Sequence, residues 1–129
     1  MKTRFARTEK KHICNRLISY GVTANPRECQ FFWDDTLNED NGILGKFKLP
    51  NAILVPLALR NVAMTEKMLD STLAHELKHY EQRNRQGLVK YSLLNFLGFN
   101  EDEAKDEEYR IDRLTGLSAY NKRERREWE

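Results

Sequence analysis

Residues 65–84 read TEKMLDSTLAHELKHYEQRN, and every other part of the chain takes its meaning from this stretch. Met68, Leu69, Thr72, Leu73, Leu77 and Tyr80 recur at three- and four-residue intervals, the spacing of an amphipathic helix. Thr65 is the expected N-cap, with its hydroxyl accepting from a free amide of the first turn. Inside the helix lies His75-Glu76-Leu77-Lys78-His79, an H-E-x-x-H sequence. Side chains at i and i+4 stand on one face a turn apart, so both imidazoles can reach one ion. Glu76 follows the first histidine. It is placed beside such an ion to take a proton from activated water.

Working outward, residues 3–20 carry Phe5, Ile13, Leu17 and Ile18 among charged positions, which predicts an amphipathic helix ending near Gly21. Asn25-Pro26 breaks the chain, and three strand-like runs follow: Cys29–Asp34, Ile43–Leu49 and Ala52–Leu59. Asn41-Gly42 and Pro50-Asn51 separate them as turn signals, so a three-stranded, mostly antiparallel meander is expected. Pro56 cannot donate to a ladder, which puts the third strand at an edge or ends it there. Downstream of the metal-type helix, Leu88–Phe99 predicts a short apolar helix stopping at Gly98. Asn100 with Glu103 resembles a capping signal for a last helix over about 101–119. Asn121–Glu129 reads as a charged tail or frayed helix end. The fold class is α+β, one domain over residues 1–129.

Composition narrows the function. The net charge of +2, from 22 basic and 20 acidic residues, gives no electrostatic case for nucleic acid. No run approaches the ~20 apolar residues that span a bilayer. The basic start, Met1 to Lys11, is followed by an apolar run broken by Asn15, Arg16 and Ser19, unlike a signal peptide. A cytoplasmic protein with no membrane association is expected. The two cysteines, Cys14 and Cys29, are too few for a disulfide framework and read as reduced, partly buried thiols.

Two histidines make an incomplete site, because catalytic zinc takes three protein ligands and keeps one open position. His12 lies on a charged upstream stretch and reads as a surface residue. Gln82 and Arg85 stand where a metzincin needs glycine and histidine, which excludes that subclass. The third ligand should be a carboxylate, and the candidates cluster: Glu101, Asp102, Glu103, Asp106, Glu107 and Glu108. Glu101 to Glu103 suit a helix N-terminus, where the macrodipole favours acids without any ion. Glu108-Tyr109-Arg110-Ile111-Asp112 puts two carboxylates on one face four residues apart. One of these can bind metal while the other fixes a histidine ring.

With these residues the chain resembles a minimal gluzincin, the thermolysin-like branch of the zinc peptidases. In that family the H-E-x-x-H helix is followed by a helix bearing a glutamate ligand, often as E-x-x-[apolar]-D. The resemblance spans about residues 29–116 and rests on about seven of them; Ile111 stands where alanine is commoner. It implies a zincin-like fold, Zn2+ held by His75, His79 and Glu108, and Asp112 supporting His75. It also implies peptide-bond hydrolysis with Glu76 as general base and a peptide or protein as substrate. Tyr109 is the oxyanion-stabilising candidate, with Arg110, Tyr91 and Tyr120 also available. Val55 and Leu57 are candidates for the strand that receives an extended substrate. The alternative reading is a zinc-binding regulatory or interaction module with a single dedicated partner. Glu76 speaks for catalysis, since a structural zinc site has no use for a base.

Overall fold

The computed structural model describes residues 1–37, 45–57, 59 and 65–117. The turn at Asn41-Gly42, the start of the second expected strand at Ile43, Tyr120 and the charged tail lie outside them.

The architecture is α+β. The elements in chain order are β1 (Lys2–Arg4), α1 (Arg7–Ser19), a 3-10 turn (Pro26–Glu28), β2 (Gln30–Asp34), β3 (Lys46–Lys48) and β4 (Ala52–Pro56). They are followed by α2 (Thr65–Gln86), α3 (Leu88–Phe96) and α4 (Phe99–Thr115). The strands form one four-stranded sheet in the order β1-β2-β4-β3.

This sheet departs from the expected meander in three ways. The first is an extra strand, β1, where residues 3–20 were read as all helix; it pairs antiparallel with β2, Thr3 facing Trp33. Phe5 anchors the turn out of β1, stacked on Trp33 at 4.2 Å and edge-on to Phe31 at 5.7 Å. The helix therefore begins only at Arg7. Second, β2 and β4 run parallel, Phe32 opposite Leu54. Third, β4 is interior, flanked by β2 and β3, so of the two readings of Pro56 the edge position fails and the strand's end at Pro56 holds. Its run of Ile53, Leu54 and Val55 is buried throughout, and a strand covered on both faces reads as a continuous aliphatic run. Pro56 is tolerated because it is the last residue of the strand, paired with Asp34 of β2.

The core lies between the sheet and the helices. Phe31, Trp33, Ile53 and Val55 project from one sheet face onto Ile13 and Leu17 of α1, Leu73 and Leu77 of α2, and Ile111 of α4. α2 begins at Thr65 itself, so the cap position falls at residue 64, outside the described residues. Gly98, at φ +88°, turns the chain from α3 into α4, a conformation glycine adopts without steric cost. α4 then packs along α2 and stops at Gly116, φ +80°, where the Leu117 N–H bonds the Asp112 carbonyl at 2.8 Å. No described helix is long and apolar enough to cross a membrane.

Candidate metal centre

α2 presents His75 and His79 on one face, ring centroids 5.3 Å apart. The carboxylate that meets both is Glu101, in the first turn of α4. One of its oxygens lies 2.8 Å from His75 Nε2 and the other 3.0 Å from His79 Nε2. Among the described residues, His75, His79 and Glu101 form a group whose donor atoms all lie within 4.8 Å of one another.

Glu101 is held in register by the packing of α4 on α2. Ala104, one turn further along, is fully buried and small enough to let the two helices approach. Gln82, buried on α2, donates to the Asn100 carbonyl at 2.9 Å. Asn100 is also buried. It donates to the Tyr91 carbonyl at 3.3 Å and exchanges bonds with the Gln86 amide. It thus lies within α4 and does not cap it: a buried amide must bond inside the protein. Glu103, its expected capping partner, is taken by Gln82 and Arg85.

The outward nitrogens of both histidines are also occupied. Glu108 meets His75 Nδ1 at 3.0 Å, and Gln82 Oε1 meets His79 Nδ1 at 3.0 Å. A partner accepting from Nδ1–H fixes the tautomer and leaves Nε2 free to bind an ion. In this structure Glu101 is the carboxylate that faces both Nε2 atoms, and Glu108 the one that meets His75 Nδ1. The reason is geometric. Seven residues, about two turns, separate Glu101 from Glu108 on one face of α4, so the first reaches both Nε2 atoms while the second reaches round to the far side of one ring. Asp112 is buried one turn beyond.

Glu76 is almost wholly buried, and burial pushes its pKa up to about 7; His75 opposes that shift, and the charges of Glu101 and Glu108 add to it. The Phe47 N–H of β3 bonds its carboxylate. Gly45, just before β3, sits against it so closely that a Cβ there would lie 3.2 Å from Glu76 Cγ and 2.9 Å from Thr72 Cγ2. Burial would lower His75, but the Glu108 bond and the neighbouring carboxylates outweigh it and its pKa is raised. His79 is lowered by burial and by His75 beside it.

Tyr109 is exposed on α4. The phenol beside the site is Tyr91 of α3, buried, with its ring 6.4 Å from that of His79. Burial, with the charges of Glu76 and Glu101, pushes its pKa up to about 12, so it stays neutral. Arg110 is engaged elsewhere, with Glu107 and the Tyr20 carbonyl. Val55 is fully buried in the core, and Leu57 lies past the end of β4. The strand beside Glu76 is β3, at the end of the sheet order.

The donor set could hold a divalent metal ion: two imidazoles and one carboxylate, each ring supported from behind, with the Glu76 carboxylate adjacent. Sequence reasoning did not name Gln82 or Gly45, and it held Glu101 and Tyr91 only among several alternatives. Gln82 had a local signal, since it follows His79 by three positions and shares its helix face. Gly45 had none. Comparison with known proteins finds no matching family model, no matching curated protein and no matching solved structure.

Proposed function

We propose that this chain is a zinc-dependent metallopeptidase of gluzincin type, with His75, His79 and Glu101 as ligands and Glu76 as general base. The observation that carries this reading is the single carboxylate of Glu101 spanning both Nε2 atoms of an H-E-x-x-H helix. Bound there, zinc supplies Lewis-acid chemistry, acidifying water and polarising a carbonyl. Glu76 takes the water proton on its carboxylate and returns it to the leaving amine. Its burial favours this, because a carboxylate with a raised pKa both accepts and releases a proton near neutral pH. Tyr91, neutral and buried, donates its phenolic hydrogen to the oxygen on which negative charge develops. Gln82 and Glu108 keep the two rings turned toward the ion. An extended peptide adds to β3, the outer strand among the described residues, next to Glu76. Three protein donors with a base alongside favour catalysis over a purely structural zinc site, which four protein ligands would close.

The test is elemental analysis of the purified, untagged chain, followed by turnover of a fluorogenic peptide library. About one zinc per chain and hydrolysis are expected, with Glu76→Gln keeping the metal and losing at least ~100-fold in kcat. Turnover retained in Glu76→Gln would take Glu76 out of the base role. A chain that takes up no zinc on titration would sink the whole reading.

A further inference from the structure

α3 turns its apolar side outward. Leu88, Val89, Leu93, Phe96 and Leu97, with Ser92 among them, follow the spacing i, i+1, i+4, i+5, i+8, i+9 and so share one side of the helix. Phe96 is 87% exposed and Val89 84%. Leu88, Leu93 and Leu97 are each more than half exposed, as is Phe99 at the start of α4. The opposite side of α3 carries Tyr91, buried toward the candidate metal centre. Taken together, the six apolar residues expose the equivalent of about four whole large side chains, on the order of 700 Å² at ~150–250 Å² for an aromatic and somewhat less for an aliphatic. The largest apolar patch on an ordinary monomer is ~300–600 Å².

We infer that this face is the contact between two copies of the chain, packed α3 against α3 about a two-fold axis. Three observations select a second copy as the occupant. The area comes close to the ~800 Å² per partner that a stable interface needs. A two-fold contact sets each residue near the axis against its own counterpart, so any charge there would meet its like. The middle of this face carries none: Val89, Ser92 and Phe96 are uncharged, and the one ionisable cation of α3, the exposed Lys90, stands at its margin beside Leu93 and Leu97. Finally, the next element, α4, carries the exposed acid Asp102 in its first turn, which an anionic bilayer would repel. The inference stands apart from the proposed catalysis, since none of these side chains is a metal donor, base or oxyanion donor.

The test is the molar mass of the full chain by sedimentation equilibrium between ~1 and ~100 µM, a span that brackets a typical Kd for a modest interface. The expected result is a species of twice the 15.3 kDa chain mass. Phe96→Glu and Val89→Glu, each made singly at a side chain exposed in the monomer, should each weaken dimerisation at least 10-fold. Both should leave the circular dichroism and zinc content unchanged. A wild-type chain that is monomeric throughout would overturn the inference, as would a dimer indifferent to both substitutions. A monomer that instead sediments with phosphatidylcholine vesicles would assign the face to lipid and overturn it equally.

Discussion

Glu101 offers one oxygen to each histidine, and that double reach separates it from every other acid on α4. Glu101→Ala should therefore reduce zinc affinity far more than Glu108→Ala, read by competition titration against a chromogenic chelator. Glu108→Ala removes the support behind His75, for which a loss of ~10- to 100-fold is expected. If the two variants lose affinity equally, the assignment of ligand and support is wrong. Gly45 allows a second test at this scale. A methyl group there would collide with Thr72 and crowd Glu76, displacing either the base or the strand that bonds it. Gly45→Ala should lower kcat ~10- to 100-fold while zinc content stays at the wild-type level, as a misplacement of about 1 Å predicts. Unchanged kcat would mean that β3 does not position the base. The histidines and Glu76 were legible in the sequence because their spacing alone places them together. Glu101 stood among the acidic candidates but was not singled out, because an acid in the first turn of a helix already has a sufficient explanation in the macrodipole. Which turn of α4 faces α2 depends on Ala104, Asn100 and Gln82, contacts across the fold that no local pattern reveals.

At the scale of elements, the fastening of α1 to α2 is the most exacting feature. Arg16 bonds Asp70 through Nε and Nη2, both at 2.9 Å, and the Tyr20 hydroxyl adds a third bond at 3.0 Å. Asp70 is fully buried while Arg16 keeps about a quarter of its side chain in solvent. Removing Asp70 leaves a partly buried guanidinium without its main partner, so Asp70→Ala should destabilise the protein by about 3 kcal/mol in urea unfolding. Glu66→Ala removes a largely exposed carboxylate 3.3 Å from the same guanidinium and should cost under ~1 kcal/mol. Equal losses would show that α1 is held by apolar packing alone. Helices were the more legible elements: α1, α2, α3 and α4 all lie within or close to their expected spans, since their periodicity and glycine stops are local. The sheet was harder. β1 is only three residues long, and the parallel pairing of β2 with β4 joins segments about twenty residues apart, an arrangement that turn residues do not encode.

Across the whole molecule, α2 is the axis on which the rest is organised. The core side of the sheet packs against it, α4 brings the third candidate donor to its histidines, and β3 closes over Glu76. The α+β class followed from pattern and length, whereas the identity of the outer strand required the order β1-β2-β4-β3 to be known. That order has a consequence for solubility. On the proposed reading β3, the outer strand among the described residues, takes a peptide; such an edge can also take any extended chain, including the same strand of another molecule, and such edges are the usual seeds of aggregation. β3 is guarded against this. It is three residues long, and its Lys46 and Lys48 are both exposed, on either side of the inward-turned Phe47. Two such strands meeting edge to edge would bring lysines into register with lysines, while a peptide without that charge meets no repulsion. The edge is thus kept available to foreign chains and closed to its own kind.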